Sequence, residues 1–531
     1  MRERSRKELK RCIDYLACPN PFDPDHGRGI EGAVAGANDW FFESLLEDME
    51  DELVPSLGYE EFLQRKTQSG SMDGFLPTFR PKFLFDFQEA LVDWAVRKGK
   101  AAIFADCGLG KTPMQLVWAE NVVRKTNRPV LILTPLAVSS QTKQEGEKFG
   151  IECERSSGGD ISKPGIYITN YEKLSHFNST DFSGVVCDES SILKHFSGAT
   201  QQAVTRFTLK TSYRLLCTAT AAPNDYYELG TSSEVLGYLG YSDMLSRFFA
   251  QDDKKRCRMN DVKLARDARK GHYQKLAYRV SQQIGAYRLK GHSEIPFWRW
   301  VSSWARACRK PSDLGFDDSL FHLPELVKED HVIQPKTPAE GMLFTLPAFG
   351  LKEERDERRR TLQDRCDYVA ALVSHPNPAV IWCHLNSEGD LLERMIPDSV
   401  QVKGSQSDEE KIERYEAFTS RQVSKIIIKP KIGAWGLNWQ HCAHVVTFVT
   451  HSYEQYYQAI RRCWRFGQKN PVKVDVIATE AEVHVRENMV RKSEAADHMF
   501  SELVKYMRQA QNISRERIET KTEVPAWLKS S

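Results

Sequence analysis

The sequence predicts an α/β protein made of two successive sets of parallel strands flanked by helices. Two observations predict this. Apolar runs of strand length alternate with helical periods from about Phe79 to Val235, and a second alternating set runs from Ala379 to Ile477. A glycine-rich turn, Gly108-Leu109-Gly110-Lys111-Thr112, joins an apolar run, Ala101–Phe104, to a helical stretch beginning near Met114.

In the first set, Val130–Pro135, Gly165–Asn170, Val185–Glu189 and Tyr213–Thr220 read as buried strands. They end in polar residues: Thr134, Thr169, Asp188-Glu189 and Thr218-Ala219-Thr220. Chemistry in parallel α/β sheets gathers at these carboxyl ends. The second set contains Ala379–His384, Ser424–Lys429, His444–Val449 and Val472–Ile477. A charged helix near 351–372 reads as a connector, and another helix is expected near 483–512. The expected domains are an accessory segment over 1–75, a first lobe over 76–235, a mainly helical insertion over 236–335, a second lobe over 336–512 and a polar tail over 513–531.

Composition bounds the rest. A chain of 531 residues points to roughly two to four domains. A formal net charge of +2 leaves any nucleic-acid surface to local clustering. No apolar run approaches the roughly 18 residues of a membrane span. The basic stretch Met1–Lys7 has no apolar run behind it, so no signal peptide is expected. The 12 cysteines are scattered without a C-x-x-C, which favours a reducing, cytoplasmic setting over zinc or disulfides.

Three constellations carry chemistry. Gly108 and Gly110 allow backbone N–H groups to curl around phosphate oxygens at the positive end of the following helix. Lys111 adds a charge there, and Thr112 a hydroxyl for Mg²⁺. The acidic strand end Asp188-Glu189 suits a metal-holding carboxylate beside one that orients a water. Such ends also occur as plain structure, but downstream of a phosphate loop the chemical reading is preferred. Arg462 and Arg465 lie three apart, on one helical face, where guanidiniums from a second domain can meet a phosphate; taken alone, a surface arginine pair is the preferred reading.

Other features are weaker. Gly27-Arg28-Gly29-Ile30-Glu31-Gly32 matches GxGxxG, but it follows loop residues Asn20–His26 instead of a strand. Lys254–Lys270 is basic, and Trp300 and Trp304 share a helical face. These features suit either a nucleic-acid contact or, for the tryptophans preferably, a core.

Taken together, the motifs resemble those of superfamily 2 helicases. The closest resemblance is to the Swi/Snf-like branch of double-stranded DNA translocases, including the helicase-like proteins of phages and prophages. Ala105-x-x-Gly108-x-Gly110-Lys111-Thr112 is similar to motif I, Thr134-Pro135-Leu136 to Ia, and Thr169–Glu172 to the next nucleic-acid motif. Asp188-Glu189-Ser190-Ser191 stands at the Asp-Glu box and Thr218-Ala219-Thr220 at motif III. Gly433-x-x-Gly436-Leu437-Asn438 is similar to motif V and Gln458–Gln468 to VI. Gln88 resembles the glutamine that reads adenine. The departures are Ser191 in the Asp-Glu box, Lys429-Pro430-Lys431 ahead of motif V, and Trp464 where histidine is usual.

The resemblance implies two RecA-like lobes with ATP and Mg²⁺ between them. It implies nucleotide contacts at Gln88, Gly108, Leu109, Gly110, Lys111, Thr112, Asp188 and Gly436, with the metal on Thr112 and Asp188. Glu189, Lys111, Arg462 and Arg465 carry catalysis on this view, and Thr134, Thr169 and Lys431 contact nucleic acid. DNA, duplex before single-stranded, is the expected partner. A nucleotide-gated clamp and an RNA helicase are the alternatives.

Overall fold

The computed structural model describes residues 72–159, 161, 163–251, 287–335, 351–433 and 437–519. The chain divides into Met1–Thr67 and Gln68–Ser531; the first unit lies outside the described residues. So do the GxGxxG match, the basic run 254–270 and Gly436.

Seven parallel strands form the first sheet: β1 (Lys100–Ala105), β2 (Val130–Thr134), β3 (Cys153–Arg155), β4 (Ile166–Asn170), β5 (Gly184–Asp188), β6 (Tyr213–Cys217) and β9 (Ala305–Cys308), in spatial order β3-β4-β2-β5-β6-β1-β9. β7 (Phe249–Gln251) and β8 (Tyr287–Leu289) pair antiparallel beside it. A second parallel sheet holds β10 (Leu326–Ile333), β11 (Ala379–Trp382), β12 (Ser399–Val402), β13 (Lys425–Ile428), β14 (His444–Phe448) and β15 (Val472–Thr479), in order β10-β15-β14-β11-β13-β12. The central strands are apolar and buried along their length because helices cover both faces. Two tandem RecA-like lobes result, as the sequence predicts.

The segment expected as an insertion is redistributed. Phe297, Trp298, Trp300 and Trp304 lie in the core of the first lobe, and the next residues form β9, which pairs with β1. The tryptophans are therefore core residues, as their spacing suggested. β10, also inside 236–335, is an edge strand of the second sheet. The pair β7–β8 packs on the first lobe as well, with Phe249 buried in its core and Tyr287 and Leu289 against it.

The C-terminal helix also departs from expectation. It runs Val483–Glu519, and its apolar residues serve both lobes. Val485, Met489 and Ala496 pack in the second core, while Met499, Phe500, Leu503 and Tyr506 pack in the first. Among the described residues, no helix is long and apolar enough to cross a membrane.

Candidate functional site

The strand order sets the site. β6 lies between β5 and β1, so the loop after β1, the acidic end of β5 and the Thr218–Thr220 turn after β6 share one sheet edge. After β1 the chain turns through Gly108 at φ +89° and Gly110 at φ +74°, left-handed angles that glycine takes without strain. The helix Lys111–Thr126 starts immediately afterwards, with Gly110 as its N-cap. Its positive end therefore faces the loop. Gln88 reaches the same turn, where its Nε2 donates to the Leu109 carbonyl at 2.8 Å. Only a bare α-carbon at Gly110 leaves room for it, since a Cβ there would lie 2.3 Å from Gln88 Nε2. The Gln88 Oε1 accepts from Phe85 N at 3.1 Å. Both ends of this amide are thus engaged within the protein. Gln88 braces the phosphate loop in this structure and also caps the helix Asp86–Lys98.

Lys111 Nζ donates to the loop carbonyls of Ala105 at 3.1 Å and Asp106 at 3.4 Å. Burial alone would lower its pKa, but the negative field of Cys107, Glu189, Asp188 and Asp106 outweighs this and raises it. Gln115, one turn along the helix, donates from Nε2 to Asp188 Oδ1 at 2.6 Å, which ties the acidic strand end to the helix carrying Thr112. Asp188 and Glu189 are both buried. Burial raises the Asp188 pKa against the Gln115 hydrogen bond and the charge of Lys111. Burial also pushes Glu189 up to about 7, against Lys111 and Arg462 and helped by Asp188 and Glu454. Glu189 adopts φ +49°, strained for a residue with a side chain, and its Oε2 accepts from Thr218 Oγ1 at 3.3 Å.

The second lobe closes over this edge. Ser452 caps the helix Tyr453–Ile460, its hydroxyl accepting from Gln455 N at 3.3 Å. Glu454, Tyr457, Gln458 and Arg461 then fall on one helical face at spacings of three, four and seven. Each meets the first lobe. Glu454 pairs with Lys194, Tyr457 and Arg461 with the Asp106 carboxylate, and Gln458 Oε1 accepts from Cys107 Sγ at 3.5 Å. Arg461 Nη2 also donates to the Cys107 carbonyl at 2.9 Å.

Arg462 and Arg465 follow. Arg462 Nη2 donates to Gln458 Oε1 at 2.8 Å, and its charge acts on both Asp188 and Glu189. Arg465 donates to Asn438 and to the Leu437 carbonyl. Burial and the neighbouring Arg462 lower its pKa to about 10. A Cβ on Gly108 would lie 2.9 Å from Phe466 N and 3.7 Å from Arg465 Cβ, so the arginine turn rests directly on the phosphate loop.

The structure thus brings together Gly108, Leu109, Gly110, Lys111, Asp188, Glu189, Arg462 and Arg465. It does not do so for the expected nucleic-acid residues. Thr134 and Thr169 are 0% and 3% exposed, and the Thr134 hydroxyl donates to the Thr169 carbonyl at 3.4 Å. Both are buried strand-end groups in this arrangement, and the Thr169 hydroxyl has no hydrogen-bond partner. Lys431, on the short helix Pro430–Gly433, is exposed. Sequence reasoning missed Gln115, Asp106, Lys194 and the Glu454–Arg461 stripe. Gln115 sits four residues after Lys111, and the stripe repeats at three and four along one helix; those spacings were the available signals.

The residues fit a phosphate group with a divalent cation. Arg465 Nε and Gln458 Nε2 are buried donors without a hydrogen bond in the protein, on residues that lie beside the loop. Unpaired buried donors are costly, and an anion relieves them. Thr112 and Asp188 suit the cation.

Fold and site together define a two-lobed α/β protein with a phosphate loop in one lobe and an arginine pair in the other. Residues 364–467 match the helicase conserved C-terminal domain, which spans β11 through the arginine turn. No curated protein compared with the chain matches it. Among solved structures, a Sulfolobus solfataricus SWI2/SNF2 ATPase core in complex with double-stranded DNA is similar, with 15% sequence identity, a TM-score of 0.34, and coverage of 81% of this chain and 95% of that one. A likeness that loose supports no functional conclusion.

Proposed function

We propose that the chain hydrolyses ATP between its two lobes and uses the cycle to move along DNA. The observation that supports this best is the seating of the second lobe's Arg465–Phe466 turn on Gly108 of the first lobe's phosphate loop, where a Cβ would lie 2.9 Å from Phe466 N. The helicase C-terminal match and the order of motifs over both lobes support the choice of a nucleic-acid motor.

Lys111 and the loop N–H groups hold the β- and γ-phosphates. Glu189 orients a water and takes its proton as the water oxygen attacks the γ-phosphorus. The bond from that phosphorus to the bridging oxygen breaks, giving ADP and phosphate. Arg462 and Arg465 stabilise the charge that spreads over the transferred oxygens, an effect on the order of 10³-fold or more. Thr112 and Asp188 would hold Mg²⁺, which would supply neutralisation of phosphate charge. Access requires the Arg465–Phe466 turn to lift from Gly108, so binding and lobe motion are coupled.

The test is the ATPase rate with duplex DNA, single-stranded DNA, RNA and no polymer. Stimulation by duplex DNA is expected, and no increase with any polymer would sink the motor reading. A triplex-displacement assay beside strand displacement separates translocation from unwinding. Glu189→Gln should keep ATP and DNA binding and slow turnover by about 10²-fold or more; wild-type turnover would remove Glu189 from its role. The contacts that join the lobes favour one second reading, a nucleotide-gated DNA clamp. It predicts DNA retention that depends on nucleotide without steady turnover.

A further inference from the structure

Arg461 is not one of the residues placed on the phosphates above, yet it is among the most constrained side chains between the lobes. It is 2% exposed. Its guanidinium pairs with the Asp106 carboxylate and donates to the Cys107 carbonyl. The guanidinium carbon lies 4.8 Å from the Trp464 ring centre and 5.7 Å from that of Tyr457. Both rings are themselves fixed. Trp464 Nε1 donates to the Pro324 carbonyl at 2.7 Å, and the Tyr457 hydroxyl donates to Asp106. Asp106 is held in turn, because its Oδ1 accepts from Cys107 N at 2.6 Å, within the phosphate loop. One carboxylate on the loop therefore anchors two side chains of the opposite lobe, on successive turns of one helical face. The residue after Arg461 is Arg462, and the next turn carries Arg465.

We infer that Asp106, Tyr457 and Arg461 form an interlobe clasp that positions Arg462 and Arg465 over the phosphate loop. The clasp makes placement of the arginines and closure of the lobes a single event. Arg461 is thus a positioning residue. A buried charge pair flanked by two anchored rings restricts where the guanidinium can sit, and catalytic groups displaced by about 1 Å lose on the order of 10²-fold in rate. Lys194–Glu454, on the same helical face, is a second tether near the acidic strand end. The inference rests on the ATPase reading for its kinetic consequence but not for the clasp itself.

The full chain is tested in three measurements: kcat and KM for ATP with saturating duplex DNA, equilibrium binding of a fluorescent N-methylanthraniloyl ADP, and the radius of gyration without nucleotide by small-angle X-ray scattering. The variants are Asp106→Asn, Arg461→Met, both together, Arg461→Lys and Tyr457→Phe. Each of the first two should lower kcat about 10-fold or more, with KM and ADP affinity within about threefold of wild type. The double variant should lose no more than either single, since both break one contact. Arg461→Lys should recover part of kcat, and Asp106→Asn should enlarge the radius of gyration. Should Arg461→Met not fold, Tyr457→Phe, which removes one hydroxyl, should still lower kcat a few-fold. A loss of ADP affinity with kcat unchanged would make Arg461 a phosphate ligand and overturn the proposal, as would multiplied losses in the double variant. If the wild type hydrolyses no ATP, the ATPase reading falls, and scattering alone decides the clasp: an unchanged radius in Asp106→Asn refutes it.

Discussion

Raising the pH should weaken the first lobe through one carboxyl group, Glu228. It lies just before the helix Leu229–Leu236 and is 5% exposed. Its carboxylate accepts from Asn224 N at 3.0 Å and Asn224 Nδ2 at 2.8 Å, while Asn224 Oδ1 accepts from Lys492 Nζ at 2.8 Å. Burial pushes Glu228 from its ordinary 4.5 up to about 7, against those hydrogen bonds and the charge of Lys194. A pKa raised on folding means that the folded chain holds a proton the unfolded chain has lost between pH 4.5 and about 7. Stability is therefore fullest below 4.5, falls as pH rises through that window, and is level above it. At 1.36 kcal/mol per pH unit the fall is about 3 kcal/mol, with no discount for solvent because the group is buried. Glu228→Gln cannot titrate. Urea unfolding followed by tryptophan fluorescence, in wild type and variant from pH 4.5 to 8, isolates the group as a difference. That difference should shift by about 3 kcal/mol in favour of the variant as pH rises. A difference constant to within about 0.5 kcal/mol would refute the assignment.

Three further outcomes rest on the geometry. Arg365 Nη1 donates to Glu388 Oε1 at 2.7 Å with both side chains buried, so Arg365→Met should cost the second lobe about 3–5 kcal/mol in denaturant unfolding. Arg365→Met with Glu388→Gln should cost less; equal losses would count against an uncompensated buried charge. Gly108→Ala and Gly150→Ala both force a side chain into a left-handed angle, at about 1–2 kcal/mol. Only at Gly108 does the new Cβ meet another lobe, whereas nothing lies within 4 Å at Gly150. ATP turnover should therefore fall at least about 10-fold in the first variant and hold in the second; matching activities would remove the steric basis for coupling. Lys431→Ala should weaken DNA binding evenly across sequences and reduce the salt slope by about 1, and an unchanged slope would take Lys431 off the nucleic-acid path.

The sheets were legible because their strands are short, continuous apolar runs between turn residues, and the phosphate loop because its glycines and Lys-Thr have one common use. What the sequence could not carry was partnership across the chain. Asp106 and Arg461 are 355 residues apart, and nothing local marks an aspartate in a glycine turn as the anchor for a distant arginine. The insertion was misplaced for a related reason. Trp298, Trp300 and Trp304 read as a helix in either setting, and only the pairing of β9 with β1 assigns them to the first lobe. Thr134 and Thr169 were placed at the correct strand ends, but a strand end does not fix whether a hydroxyl faces outward or, as for Thr134, the neighbouring strand.

The clasp and the C-terminal helix bear on how such lobes can move. At about 1.5 Å per residue, the helix Val483–Glu519 is about 55 Å long and puts apolar side chains into both cores. Near where it crosses, Arg309 pairs with Asp497 at 2.7 Å and the Tyr226 hydroxyl donates to the Ala495 carbonyl at 3.2 Å. A rod buried in both lobes resists wide separation, since pulling Met499, Phe500 and Leu503 from the first core would expose apolar surface at roughly 1.5–3 kcal/mol per side chain. Rotation about the crossing point exposes far less. It can part the Arg465–Phe466 turn from Gly108 while leaving the helix seated. The polar contacts at the phosphate loop are then the ones that break and re-form, and the apolar ones act as the hinge. A site with a charged, reversible clasp on one side and an apolar rod on the other suits small, repeated opening better than wholesale separation of the lobes.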